Sequence, residues 1–176
     1  MIAKLLGLTL TLAATLQGID KPKPTLVLDT FVTGAGVSWP YDMNQLKFET
    51  MGELINKDDQ YFFVSPESAN GARGEVYTLD GEILEWHSGN RAKRLLVGMG
   101  SGRETAKIHY WLTDKSGKRV FDHTDIIRQA FSGNGYAGSV GQLARPFADK
   151  IAERLKATKL TPEVTSTAKE TTQPER

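Results

Sequence analysis

Hydrophobic and polar residues recur with clear periods between residues 25 and 157. A short apolar run at residues 25–31 predicts a strand near the centre of a sheet. Residues 46–55 carry apolar side chains at helical spacing, after a proline that suits the first turn of a helix. A second helix is predicted near the C-terminus, with one apolar face formed by Val140, Leu143, Ala144, Phe147, Ile151 and Leu155. Pro146 either kinks this helix or marks its start.

The segments between the two helices have the composition and period of strands. Residues 60–65 and 75–87 predict two of them, the second with a bulge at Gly81. Residues 105–113 alternate, with Ala106, Ile108, Tyr110 and Leu112 on one face. Residues 118–131 return along them. The predicted fold is therefore α+β: a mostly antiparallel sheet of four to five strands with two main helices, in the order β-α-β-β-β-β-α.

The turn from Asp114 to Gly117 suits a type I turn closed by glycine in a left-handed conformation. If Asp114 pairs with Lys118, Trp111 lies opposite Phe121, and His109 lies opposite His123. Cross-strand Cβ atoms lie about 5 Å apart, so the two histidines are candidates to share a zinc or copper ion. The alternative, which the lack of an evident third ligand favours, packs these rings under a helix or exposes them on a partner-binding surface.

The two ends of the chain differ from its middle. Lys4 is the only charge before Asp20, and residues 5–16 are apolar, small or threonine, which is typical of a secretory signal peptide. Residues 158–176 are rich in threonine and lack apolar periodicity, which predicts a disordered tail. The predicted organisation is a signal peptide at 1–18, a single domain at 19–157 and the tail at 158–176.

Charge and cysteine content exclude several classes of function. The formal net charge of +1 lacks the basic excess of a nucleic-acid binder, whose affinity depends on neutralising phosphates. The chain has no cysteine, which excludes disulfides, thiolate metal ligands and thiol nucleophiles. No serine lies in a nucleophile-elbow context, and Ser101 in particular lacks the flanking pattern. We therefore expect no catalytic residues and no cofactor.

A glycine-rich run and a group of arginines lie next to each other. Gly98, Gly100 and Gly102 have the wrong spacing for a phosphate loop and precede a strand, which predicts a structural role in a tight connection. Arg91, Arg94 and Arg103 flank an apolar segment, and guanidinium groups bind phosphates or carboxylates by forked hydrogen bonds. The alternative is a solvated face, or ion pairs with nearby glutamates.

The stretch from Asp80 to Asp125 resembles a bacterial family called domain of unknown function 4410. In that family, a glycine-rich G-x-G-x-G-R element precedes an alternating strand and an acidic, glycine-containing turn. The matching positions here are Gly98, Gly100, Gly102, Arg103, Asp114 and Gly117. Members look like exported or lipid-anchored proteins, but this chain lacks the cysteine that a lipid anchor requires. The resemblance supplies no activity.

These features together predict a non-catalytic binding or assembly module of the cell envelope, located in the periplasm or secreted. Its expected partner is an envelope protein or an anionic polymer, without nucleic acid and without a transmembrane span in the mature chain. The expected contact residues are Arg91, Arg94, Arg103, His109, Trp111, Phe121 and His123, with structural glycines at Gly98, Gly100, Gly102 and Gly117. Two alternatives stay open: a metal-dependent or hydrolytic enzyme of the periplasm, and a structural subunit of a homo-oligomer.

Overall fold

The computed structural model describes residues 22–72, 74–89, 102–130, 140–158 and 160. The predicted signal peptide at 1–18, nearly all of the predicted tail, Arg91, Arg94, Gly98 and Gly100 lie outside these residues. The described elements are β1 (Thr25–Thr33), α1 (Met43–Lys57), β2 (Phe62–Val64), a 3₁₀ turn (Pro66–Gly71), β3 (Val76–His87), β4 (Thr105–Asp114), β5 (Arg119–Arg128) and α2 (Val140–Thr158). The prediction of an α+β fold in the order β-α-β-β-β-β-α is confirmed.

The strands form one mixed sheet in the order β2-β1-β3-β4-β5. β1 pairs in parallel with both β2 and β3, whereas the β3–β4 and β4–β5 ladders are antiparallel and contain most of the paired positions. Both helices pack together and against one face of the sheet, where a single apolar core lies between them. We call the opposite face of the sheet, on which neither helix packs, the open face.

Helix α1 begins after Asp42, whose side chain accepts a hydrogen bond from the backbone N–H of Asn44 at 2.8 Å. Its buried residues are Leu46, Thr50 and Leu54, which recur every four positions. Ile55 ends the apolar run at residues 46–55 but is exposed, because it points outward on the far side of the helix.

Helix α2 begins at Val140 and contains Pro146, which lacks an N–H to donate to the carbonyl of Gln142 four residues earlier. The backbone N–H of Ala130, just beyond β5, donates to that carbonyl at 2.8 Å instead. The proline therefore lies inside the helix without leaving Gln142 unsatisfied, and the replacement bond joins the helix to the end of the sheet. The predicted apolar face, including Val140, Phe147 and Leu155, is buried as expected.

Gly81 makes room for a core aromatic ring. A Cβ atom at Gly81 would lie 2.8 Å from the ring of Phe31 on the neighbouring strand. The bulge predicted at Gly81 lies across from it, in β1 between Leu28 and Phe31. Asp80 accepts a hydrogen bond at 3.0 Å from the N–H of Thr30 within this bulge. Glycine is thus required here for space.

Candidate partner-binding face

The β4–β5 hairpin has the predicted turn but not the predicted register. Gly117 has a φ of 85°, and its N–H donates to the carbonyl of Asp114 at 3.0 Å, which confirms the turn. Thr113 pairs with Arg119 as expected, but Leu112 then pairs with Phe121, so Val120 is an extra residue on β5. A shift of one residue moves every following side chain to the other face.

His109 and His123 therefore lie on opposite faces of the sheet, as do Trp111 and Phe121. The register pairs His109 with Thr124, and Trp111 with Asp122. The predictions that the two histidines face each other and that Trp111 lies beside Phe121 are wrong, because the bulge separates them. Two histidines on opposite sides of a sheet cannot share a metal ion. In the described part of the chain, no group of three or more His, Asp or Glu side chains is placed to bind one.

The open face carries a compact group of four side chains near the hairpin turn, which we call the Trp111 cluster: His109, Trp111, Arg119 and Asp122. Nε2 of His109 lies 2.6 Å from Oδ1 of Asp122. The guanidinium of Arg119 lies 4.9 Å from the centroid of the Trp111 ring and pairs with Asp122. The His109 and Trp111 rings are 4.8 Å apart. The cluster thus combines an aromatic surface with groups that donate and accept hydrogen bonds.

Asp80 on β3 extends this cluster, because it pairs with Trp111 across the β3–β4 ladder. Burial raises the pKa of the Asp80 carboxyl above its usual value; the N–H of Thr30 opposes this, and the nearby Asp29 adds to it. The positive charge of Arg119 lowers the pKa of Asp80, as the N–H of Thr30 does. The cluster therefore has carboxylates on both β3 and β5, with the Arg119 guanidinium between them and solvent-facing on β5.

Phe121 and His123 point toward the helix layer. Phe121 is 7% exposed and belongs to the core, so the prediction that it contributes to a partner-binding surface has no geometric support. The half-buried His123 stacks on Phe121, with ring centroids 5.7 Å apart. Both rings also lie near Tyr110, at 6.0 and 6.3 Å. These residues pack the inner side of the hairpin.

A polar network crosses from the sheet to α2 beside these rings. The hydroxyl of Tyr110 donates to Asp125 at 2.6 Å, and Arg154 of α2 donates to the same carboxylate at 3.3 and 3.4 Å. Burial acts to raise the pKa of Asp125, but the hydrogen bond from Tyr110 and the charge of Arg154 outweigh it, so the pKa lies below its usual value. This network fixes α2 over the hairpin and was not predicted from the sequence.

A second unpredicted group surrounds Glu104, which is 3% exposed. The Tyr41 hydroxyl donates to one carboxylate oxygen at 2.8 Å, and Nε1 of Trp86 donates to the other at 2.6 Å. Trp39 packs edge-on against both rings, at 5.2 and 6.5 Å. Glu104 therefore joins the segment before α1 to strands β3 and β4.

The tight connection into β4 depends on Gly89. Its φ is 65°, and a Cβ atom there would lie 2.6 Å from the carbonyl oxygen of Gly102 and 2.8 Å from the nitrogen of Glu104. Gly102 also has a positive φ, of 73°. Arg103 follows it and is half-buried. The structural role predicted for Gly102 is consistent with this geometry, whereas partner binding by Arg103 stays a prediction.

The buried tyrosines give a prediction for alkaline pH. Burial, followed by hydrogen bonding to a carboxylate, raises the pKa of Tyr41, Tyr77 and Tyr110 far above the usual value of 10.0. A raised pKa stabilises the folded protein below pH 10, and this contribution is lost as the pH rises further. We expect these three tyrosines to ionise only as the protein unfolds. Their share of the increase in absorbance at 295 nm should therefore appear only at the pH at which the protein unfolds. Early ionisation of all five tyrosines with unchanged circular dichroism would contradict this.

Comparisons with known proteins give a match to one family model and weak structural likenesses. The PelC dodecamer from Paraburkholderia phytofirmans is 15% identical in sequence and has a TM-score of 0.49. The match covers 74% of this chain and 86% of the PelC chain. The hypothetical protein CT253 from Chlamydia trachomatis is 13% identical in sequence and has a TM-score of 0.45, and the match covers 77% of this chain and 96% of CT253. No curated protein is significantly similar to the chain. The model of domain of unknown function 4410 (DUF4410) matches residues 43–126, which include α1, β2, β3, β4 and most of β5, so the predicted resemblance to that family is confirmed over this part of the chain.

Proposed function

We propose that this protein is an exported, non-catalytic binding or assembly module of the cell envelope, and that the Trp111 cluster binds an envelope protein or an anionic polymer. The observation that carries the proposal is the position of Trp111 on a sheet face against which neither α1 nor α2 packs. The pattern of residues 1–18 supports export to the periplasm or the exterior. Among the described helices, none is long and apolar enough to span a membrane.

The chemistry of the cluster suits binding. Tryptophan and arginine are enriched among the residues that contribute most to protein interfaces, and Arg119 lies over the ring of Trp111. Arg119 and His109 both carry N–H donors suited to a carboxylate or phosphate group. All four side chains project from paired strands, so little ordering is required when a partner binds.

The hydrogen-bonding state of His109 favours binding over catalysis. A hydrolytic set needs a histidine that is held by a carboxylate and also contacts a nucleophile. Asp122 supplies the carboxylate at 2.6 Å from Nε2. Within the residues that the structure describes, no hydroxyl group forms a hydrogen bond with His109. The His109–Asp122 hydrogen bond is therefore better suited to hold these two side chains beside Trp111 than to activate a nucleophile.

Binding measurements with single variants test the proposal. We expect wild-type protein to bind saturably to an envelope extract or to a purified anionic envelope polymer. Trp111→Ala should weaken binding by at least about thirtyfold, since truncating a central hot-spot residue costs about 2 kcal/mol or more. Arg119→Gln should weaken it too. Lys156→Gln removes a charge from the exposed side of α2 and serves as the matched control, with binding unchanged.

The arginine segment is tested separately. We expect charge reversal at Arg91, Arg94 and Arg103 to reduce binding to the same ligand. Unchanged binding would remove this segment from the site and leave the Trp111 cluster alone. If Trp111→Ala and Lys156→Gln bound equally well, the Trp111 cluster would not be the binding surface.

A further inference from the structure

Two half-buried carboxylates on the open face lack a basic partner. Asp80 pairs with Trp111 across the β3–β4 ladder and Glu82 pairs with His109, so both carboxylates lie beside the Trp111 cluster. Within the described parts of the chain, neither forms an ion pair with a lysine or an arginine. Burial, and then the nearby charge of Asp29, raises the pKa of Asp80, as expected for a carboxylate without a cation of its own.

The basic side chains that the described strands direct to the open face are either paired or distant. Lys107 binds Glu85 at 2.7 Å, and Arg119 pairs with Asp122. Arg128 is exposed, but it lies at the end of β5 away from the hairpin turn. The ion pairs neutralise each other, which leaves an excess of negative charge on the β3 side of the Trp111 cluster.

The spacing of these two carboxylates matches that of side chains on an extended peptide. Residues two positions apart on a strand point to the same face and lie about 6.6 Å apart. A peptide that runs along β3 in an extended conformation can therefore place its side chains i and i+2 beside Asp80 and Glu82. Trp111 borders the first position, and the exposed Val32 of β1, which pairs with Glu82, borders the second. Both would contact the apolar stems of long basic side chains.

The open face offers a partner groups of both kinds. Asp80 and Glu82 accept hydrogen bonds and carry negative charge, whereas Arg119 and His109 carry N–H donors. An anionic polymer repeats one sign of charge, so the donors would attract it and the two carboxylates would repel it. A protein segment carries side chains of both signs and can satisfy both kinds of group.

We propose that the partner of the Trp111 cluster is an extended segment of an envelope protein, with basic residues at positions i and i+2 that bind Asp80 and Glu82. This inference rests on the proposed function, because it takes the Trp111 cluster as the binding surface, and it selects the protein over the anionic polymer. Arginine suits both positions, since its guanidinium forms forked hydrogen bonds with carboxylates and stacks on aromatic rings.

Titrations followed by nuclear magnetic resonance test the charge and the spacing. The probe is a synthetic nonapeptide of serine and threonine with arginine at its fourth and sixth positions, added to the isotope-labelled full chain at low salt. The indole N–H signal of Trp111 should shift saturably, while those of Trp39 and Trp86, the other tryptophans, should not. A peptide with arginine at the fourth and fifth positions has the same charge but directs its arginines to opposite sides, and it should bind on the order of fivefold more weakly.

Neutral variants identify the carboxylates. Glu82→Gln and Asp80→Asn should each weaken binding of the probe on the order of fivefold, because each removes one ion pair. Asparagine retains an oxygen that can accept the N–H of Thr30, so Asp80→Asn should fold like the wild type, which circular dichroism checks. Glu49→Gln makes the same chemical change as Glu82→Gln on the exposed side of α1, and should bind like the wild type.

The outcomes separate this inference from the proposed function. If the probe left the Trp111 signal unchanged, or bound both neutral variants as tightly as the wild type, the basic segment would not be the partner. If polyglutamate shifted the Trp111 signal instead, and bound more tightly to Glu82→Gln than to the wild type, the partner would be an anionic polymer. This inference would then fail while the Trp111 cluster remained the binding surface. Binding of Trp111→Ala to the envelope extract decides the proposed function by itself.

Discussion

Phe147→Ala is expected to lower the free energy of unfolding by about 3–5 kcal/mol, the usual range for truncating a buried phenylalanine. Phe147 is fully buried in α2, and its ring meets Tyr110 at 5.3 Å and Phe31 at 6.0 Å, both edge-on. Its removal would leave a cavity between the helix layer and strands β1 and β4. Urea unfolding followed by circular dichroism measures the loss.

Phe48→Ala is the matched control, because it makes the same chemical change on the exposed side of α1. We expect its free energy of unfolding to stay within about 0.5 kcal/mol of the wild type. If the two variants had equal effects, Phe147 would not join the helix layer to the sheet as the structure indicates.

Helix α2 and the alternating strand β4 could be predicted because their apolar patterns directly reflect burial. Every residue predicted on the apolar face of α2 is buried, and the inner face of β4 contains the four residues that alternation selected. Ile55 shows the limit of such patterns. An apolar residue next to a helix stripe is counted as core by its pattern, although it lies on the outer surface of α1.

The register of β4 and β5 could not be predicted from the turn. The turn formed by Asp114 and Gly117 determines the first pairs of the hairpin. The extra residue at Val120 depends instead on the packing of α2 against the sheet. The shift buries Phe121 beside Tyr110 and brings Asp125 within reach of Arg154. Because α2 is distant in sequence, these contacts leave no local signal in β5, where apolar and polar residues do not alternate cleanly.

Long-range polar contacts were missed for the same reason. The parallel pairing of β1, the bond from Ala130 to the carbonyl freed by Pro146, and the donors to Glu104 all join residues that are separated in the sequence. A glutamate before an alternating strand looks like a solvated residue. A signal that could have been used is the local concentration of Trp39 and Tyr41, two aromatic residues with polar tips close to the start of a helix.

Glu104→Leu is expected to lower the free energy of unfolding by about 2–5 kcal/mol. The apolar side chain removes the acceptor for the Tyr41 hydroxyl and for Nε1 of Trp86, and each donor left unpaired in a buried site costs about 1–3 kcal/mol. Glu104→Gln retains one acceptor oxygen and should have a smaller effect. Trp fluorescence during urea unfolding reports the change, since Trp86 donates to the carboxylate and Trp39 packs against Trp86.

A double-mutant cycle with Tyr41→Phe separates the hydrogen bond from the packing around it. Tyr41→Phe should cost about 1–2 kcal/mol in the wild type, because a buried carboxylate oxygen loses its donor. In the Glu104→Leu background it should cost close to nothing, since the donor it removes is already unpaired. A coupling energy of at least about 1 kcal/mol is therefore expected. Additive effects would mean that Glu104 contributes through packing alone and that its bond to Tyr41 does not hold the segment before α1 in place.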